Sequence, residues 1–196
     1  GYMSTLVTTN LKNPSSSGNN IVLNADGSTT PGLGKVLQVV QVSSDAVQST
    51  ASTSFVDVPG MSLNITPTSS TSQILCHANI GLSWDGEGYV QLIRTVSGST
   101  SIIGSGTSST YQGFAGGWTG SGGGVHTYGL YTHSTQTLDA AVNTTAHTYT
   151  LKWMQYAANY IVMNASYYAA FGGGGYSNPN YNPSGFSSIT LYEIGA

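Results

Sequence analysis

Charge is what this chain has least of. Only 6% of its 196 residues are Asp, Glu, Lys or Arg, against about a quarter in an ordinary soluble domain. Long helices hold their outer face in water with Lys, Glu and Arg, and a chain with four basic residues cannot furnish several such faces. A helical frame is thereby nearly excluded. Nucleic acid is not an expected partner either, because gripping phosphates takes clustered Lys and Arg and this chain carries a net charge of −3. The single cysteine, Cys76, rules out an internal disulfide framework. No apolar run approaches the roughly 18–20 residues that span a bilayer, and no basic region followed by an apolar stretch opens the chain. Neither membrane insertion nor a secretion leader is expected. Met3-Ser4-Thr5-Leu6 reads as an ordinary start, although an internal piece of a longer fibre would look similar.

What is present is apolar mass and small polar groups: 39% hydrophobic residues, 26 Gly and 13 Tyr. The surface must then be built from Ser, Thr, Asn, Gly and Tyr. Such a surface has few charges for salt to screen and offers hydroxyls, amides and aromatic faces instead. It suits an adhesive or structural protein better than a metabolic enzyme.

Residues 1–34 differ from the rest. Pro14-Ser15-Ser16-Ser17-Gly18-Asn19-Asn20 and Asn24-Ala25-Asp26-Gly27 are turn chemistry around one short apolar run, Ile21-Val22-Leu23. This segment reads as an extended arm or stalk that orders by pairing with other copies or with a larger assembly, with Leu11, Ile21, Val22 and Leu23 as its contact residues. Residues 35–196 read as one β-sandwich domain. Val36 to Val42 predicts a strand covered on both faces. Phe55–Val58 and Met61–Ile65 predict two short strands divided by Pro59-Gly60. The clearest period of two is Ile74, Cys76, Ala78, Ile80, Leu82 and Trp84. Tyr89–Val96 follows across Asp85-Gly86-Glu87-Gly88, which predicts a hairpin turn. Further strands are expected at Thr100–Ile103, Thr127–Thr132, Thr148–Tyr156, Tyr160–Ser166 and Ser188–Ile194. About eight or nine antiparallel strands with Gly-rich turns fit an all-β antiparallel sandwich, jelly-roll in type.

Two charges break the alternation in the same way. Arg94 is in phase with Val90, Leu92 and Val96, and Glu193 with Ile189 and Leu191, so both are expected to point to the apolar side. A buried charge needs a partner. One reading pairs Arg94 with Glu193, within a subunit or between subunits, at an interface. The other ends either strand early, so that its charge reaches solvent.

The order of short segments also carries a resemblance. Leu11-Lys12-Asn13-Pro14-Ser15-Ser16, Asn19-Asn20-Ile21-Val22-Leu23, Lys35-Val36-Leu37-Gln38-Val39-Val40, the stretch from Ile65 to Leu75 and the terminal Ser188-Ile189-Thr190-Leu191-Tyr192-Glu193-Ile194 together resemble the framework of a family of bacteriophage tail-fibre and related virion proteins of marine type. The resemblance implies a homotrimeric virion-surface component, assembled in the host bacterial cytoplasm, with fixed framework strands and variable loops. Arg94 and Glu193 occupy positions similar to that framework's charged positions. No catalytic residues come with it.

Residues 104–126 and 167–186 fit no part of that framework. The first sets Tyr111, Phe114 and Trp118 among Gly, Ser and Thr; the second sets Tyr167, Tyr168, Phe171, Tyr176 and Tyr181 among Gly, Asn and Pro. Adaptable binding loops use this vocabulary, with aromatics for contact area and small polar residues for hydrogen bonds. Loops longer than about 12–15 residues without internal structure are usually functional or disordered. Saccharides suit such a surface, since aromatic rings cover the apolar faces of sugars. The competing reading has these aromatics pinning the loops to the sandwich or filling a subunit interface.

No enzyme, cofactor or metal site is expected. Glycoside cleavage needs two carboxyl groups placed across a sugar; Asp85 and Glu87 form the close pair and sit in an expected turn, with Asp57 and Asp139 as conceivable partners in space. No Gly-x-Ser-x-Gly elbow precedes a helix. His77, His126, His133 and His147 lack paired ligand spacing, and Asp85-Gly86-Glu87 falls short of a calcium cage. Asn64-Ile65-Thr66, Asn143-Thr144-Thr145 and Asn164-Ala165-Ser166 match the glycosylation pattern, as a Ser/Thr/Asn-rich chain does by chance. Two functions remain: a tail-fibre or receptor-binding module that attaches the particle to a host-surface glycan or protein, and a capsid decoration or head-fibre protein held to other virion proteins by its arm.

Overall fold

The computed structural model describes residues 10–11, 21–23, 29–30, 35–84, 87–104, 115–118, 129–156, 160–171 and 184–195. Three short strands, β1 (Asn10–Leu11), β2 (Ile21–Leu23) and β3 (Thr29–Thr30), pair antiparallel as a small sheet of their own, placing the expected contact residues Leu11, Ile21, Val22 and Leu23 in its first two strands.

The body is all-β and antiparallel, with the strands divided between two sheets and, among the described residues, one five-residue helix. The six-stranded sheet contains β4 (Val36–Ser44), β5 (Gln48–Thr50), β7 (Gln73–Trp84), β11 (Tyr131–Ala140), β13 (Ile161–Met163) and β14 (Ser187–Ile194). The five-stranded sheet contains β6 (Val56–Ile65), β8 (Glu87–Val96), β9 (Ser99–Ile103), β10 (Ala115–Trp118) and β12 (His147–Gln155). The helix α1 is Tyr167–Phe171. The fold class is β-sandwich-like.

β7 organises the six-stranded sheet because its alternation was the strongest in the chain. Ile74, Cys76, Ala78, Ile80, Leu82 and Trp84 are all buried, facing Val90 and Leu92 of β8, Tyr149, Leu151 and Trp153 of β12, and Met61 and Ile65 of β6. Along one edge β7 pairs with β11; along the other it pairs first with β14 and then with β13. In the five-stranded sheet β8 plays the same part, with β12 on one edge and β9 and β10 in succession on the other. The β8–β9 turn is Ser97-Gly98, both at positive φ (49° and 82°), the backbone that suits a two-residue hairpin.

The pairings give the body a base and an apex. At the base lie the start of β4, the end of β14 and the start of β7, where Val36, Ile194 and Gln73 are partners and the Gly195 amide donates to the Lys35 carbonyl at 2.8 Å. At the apex lie Trp84, Glu87, Gln155 and Ile161.

Several expectations are corrected. β4 is not covered on both faces: it pairs with β14, and its outward Leu37 and Val39 are exposed. The segments divided at Pro59-Gly60 are one strand, β6, with a bulge in which Val58–Met61 oppose Leu151 alone; Gly60 takes the required positive φ (73°). No hairpin joins β7 to β8, because these strands belong to different sheets. β11 begins later than expected and runs to Ala140, and β13 is shorter than expected.

Candidate functional site

Arg94 and Glu193 do point inward, and within the chain they do not meet. In the six-stranded sheet Gln38, Glu193, Ile74 and Asp139 form one row across β4, β14, β7 and β11. Glu193 is fully buried. Its carboxylate accepts from Gln38 Nε2 at 2.6 Å, from the Thr68 amide at 2.7 Å and from Thr68 Oγ1 at 2.8 Å. Burial works to raise its pKa, but these donors outweigh burial and hold the carboxyl below its usual value. The expected Arg94 ion pair is replaced here by neutral donors.

Arg94 reaches across the sandwich instead. Its Nη1 donates to both oxygens of Asp139 at 2.7 and 2.8 Å and to the Ala140 carbonyl at 3.1 Å. Tyr149, the cross-strand partner of Arg94, donates its hydroxyl to Asp139 at 2.7 Å. β8 and β12 lie in one sheet and β11 in the other, so this clasp ties the sheets together near the base. Beside it sits Cys76, whose thiol is pushed up to about 12 by burial first and by the Asp139 charge second. Tyr149 is raised above its ordinary value, again mainly by burial. A thiol kept protonated in this way is inert.

A second polar node closes the gap between β13 and β14. Asn164 is buried at φ 66°. Its amide donates to the Gly81 carbonyl at 3.0 Å, and its Nδ2 donates to the carbonyls of Ser44 and Ala46 at 2.8 and 3.0 Å. Its Oδ1 accepts from Ser187 Oγ at 2.7 Å, while Ser187 Oγ accepts from the Gly81 amide at 3.1 Å. A side chain so engaged cannot be a glycosylation acceptor. Asn143 folds back on Thr145, its Oδ1 accepting from that residue's amide and hydroxyl at 2.9 and 2.7 Å.

The apex carries the aromatic surface. Phe171 ends α1, and its ring lies against Tyr160 with centroids 4.3 Å apart and planes tilted by 36°. Both remain open to solvent, at 40% and 38% exposure. Tyr160 directly precedes Ile161, the partner of Trp84, and exposed Tyr156 follows the end of β12, its amide donating to the Glu87 carbonyl at 2.8 Å. On the far edge of β8, Trp118 is the cross-strand partner of Glu87. Trp118 of the first region singled out from composition and Phe171 of the second therefore lie at one end of the body.

Of the expected recognition residues, Tyr111, Phe114, Tyr176 and Tyr181 lie outside the described residues. Trp118 belongs to β10, and Tyr167 and Tyr168 to α1, so neither region is loop throughout. Sequence reasoning missed Tyr160 and Tyr156 because both sit at the ends of expected strands and were absorbed into the frame.

Of the carboxylates conceivable for glycoside cleavage, Asp85 lies outside the described residues, Glu87 accepts from the Tyr89 hydroxyl at 3.3 Å, and Asp57 and Asp139 are engaged apart from each other. Asp57 pairs with Lys152 at 2.8 Å on the outside of the five-stranded sheet, and Asp139 is in the clasp. Among the described residues, no three His, Cys, Asp or Glu converge as metal ligands. No protein-family model matches the chain, and no curated protein matches it.

Proposed function

We propose that this is a non-enzymatic bacteriophage virion protein of tail-fibre or receptor-binding type, a homotrimer at the particle surface. It holds to other virion proteins through residues 1–34 and meets a host-surface glycan or protein with its aromatic apex. The observation that carries this reading is the polarity of the body. The chain enters from the arm at Lys35, at the base, while Tyr160, Phe171 and the β10 strand end bearing Trp118 lie at the opposite end. An adhesin needs that arrangement, with its tether and its contact surface at opposite poles.

A jelly-roll topology accompanies the proposal. The strand order β4-β14-β7-β11 against β6-β12-β8-β9 supports it, because the chain changes sheets from β6 to β7, from β7 to β8 and from β11 to β12, as nested Greek keys require. Exposed rings tilted against each other suit a saccharide, which lays its apolar face on one ring and bonds its edge hydroxyls to surrounding amides.

The test combines localisation with binding. Gold-labelled antibodies on intact particles are expected at the tail, and a glycan array probed with the whole protein is expected to give signals that Phe171→Ala and Tyr160→Ala each weaken at least about tenfold. Label confined to the head would overturn the attachment role in favour of capsid decoration. Array signals untouched by both substitutions would remove the apex from the binding surface.

A further inference from the structure

Among the described residues, the charged side chain at the apex is that of Glu87, the first residue of β8. A Cβ built on the next residue, Gly88, would lie 3.1 Å from Ile161 Cδ1, so position 88 faces the interior while Glu87 and Tyr89 face outward. Gln155, the partner of Gly88, is buried, which turns Tyr156 outward beside Glu87, where the Tyr156 amide donates to the Glu87 carbonyl at 2.8 Å. Tyr156 is 48% exposed, and Glu87 and Tyr89 are half-buried. Trp118 takes the register position on the other side of Glu87. An acidic residue thus stands in register between an aromatic residue on each flanking strand.

The Tyr89 hydroxyl donates to Glu87 Oε1 at 3.3 Å. Burial first, and the Glu87 charge second, raise that hydroxyl above its ordinary value, so it keeps its proton and remains a donor. Glu87 Oε2 accepts from no described residue. A carboxylate oxygen can only accept, so what fills it must bring an O–H or N–H group. The four basic residues of the chain are all committed elsewhere: Arg94 in the clasp, Lys152 on Asp57, Lys35 at the base and Lys12 in the arm. Residues 104–126 and 167–186 contain neither Lys nor Arg. An acidic group brought to the apex therefore meets Glu87 with no Lys or Arg to offset it, and an uncompensated charge is costly to desolvate.

We infer that the apex selects saccharides bearing hydroxyl or amine donors and rejects those bearing carboxylate or phosphate, with Glu87 as the specificity-determining residue. The inference rests on the reading of the apex as a glycan-binding surface and names the class of glycan. A neutral sugar lays its apolar face on the exposed Tyr156 ring and gives a hydroxyl to Glu87 Oε2. An amino sugar gives its ammonium to the same oxygen, and the Tyr89 hydroxyl holds the carboxylate in place for either.

An array carrying one saccharide backbone in neutral, amine-bearing, uronate and phosphorylated forms, probed with the full chain, tests this directly. The neutral and amine-bearing forms are expected to give signals at least about tenfold above the two acidic forms. Glu87→Gln, an isosteric change at a half-buried position, is expected to keep the β-sheet circular dichroism, to weaken the favoured signals at least about tenfold and to narrow their lead over the acidic forms. Acidic forms bound as strongly as neutral ones overturn the inference and leave attachment to a glycan standing. Discrimination unchanged in Glu87→Gln also overturns it, because Glu87 is then not the residue that selects. A wild type that binds none of the four forms overturns the glycan reading of the apex together with this inference, and label at the tail would then point to a protein receptor.

Discussion

Glu193 and Asp139 flank Ile74 in a single row of the six-stranded sheet, both turned inward, and each carboxylate is compensated from a different direction. Glu193 is held by Gln38 and Thr68 from its own side of the body. Asp139 is held by Arg94 and Tyr149 from the facing sheet. The one Arg of the chain thus goes to the carboxylate on β11, and β14 manages with neutral donors.

The clasp has a direct consequence for stability. Arg94→Met leaves Asp139 largely buried with Tyr149 as its remaining side-chain donor, and removing one partner of a buried pair typically costs about 3–5 kcal/mol. Urea denaturation is expected to show a loss of that order. The double variant Arg94→Met with Asp139→Leu is expected to recover part of it, since no charge is then stranded. A single variant as stable as wild type would mean that the clasp contributes nothing net.

Acid is expected to loosen the base. The folded-state pKa of Glu193 is lowered from 4.5, so the unfolded chain takes up its proton first as pH falls. The stability contributed by the Gln38 and Thr68 bonds is therefore complete above about pH 4.5 and is lost as pH drops through the lower folded value. Melting temperature against pH should fall more steeply in this window for wild type than for Glu193→Gln. Identical acid limbs would show that Glu193 is not the group that titrates.

Alkali acts on the other side of the same end. The Cys76 thiol is raised from 9.0 to about 12, so between those values the unfolded chain ionises while the folded one does not, and stability declines as pH rises. Cys76→Ala is expected to flatten that decline, at the cost of a small cavity. Native protein at pH 8 should react with a thiol reagent no faster than it unfolds. Prompt labelling would contradict the burial of Cys76.

Asn164 is expected to tolerate little. Asn164→Ala removes donors to two carbonyls and the acceptor of Ser187, and it forces alanine to a φ of 66°. A loss of about 3 kcal/mol is expected in urea denaturation. Asn164→Gly keeps the backbone without strain and should be less harmful, so the difference between the two measures the left-handed conformation.

Much of the frame was legible in the sequence. The alternation through β7 is visible because Ile74, Cys76, Ala78, Ile80, Leu82 and Trp84 face a core while Gln73, His77 and Asn79 do not. The inward phase of Arg94 and Glu193 followed from period two alone. What failed was local contrast. β11 sets His133, Thr135 and Thr137 on one face and Thr132, Ser134 and Gln136 on the other, so no apolar alternation marks its course, and the valines of β4 look the same in an edge strand as in a central one. The inward phase of two opposite charges names no partner, and within the chain Arg94 meets Asp139 while Glu193 meets Gln38 and Thr68.

Composition by itself determined that the chain would be built mainly of strands, because a charge-poor, Gly- and Tyr-rich sequence has little means of solvating long helices. Alternation determined which residues turn inward, because successive strand side chains face opposite ways. Neither reaches across sheets. Only the tertiary structure decided that Arg94 meets Asp139, that Asn164 fills the gap between β13 and β14, and that Tyr160 and Phe171 share the apex. Those contacts join residues from 11 to 120 positions apart, and such distances close only when strand order is fixed, a property that no local pattern encodes.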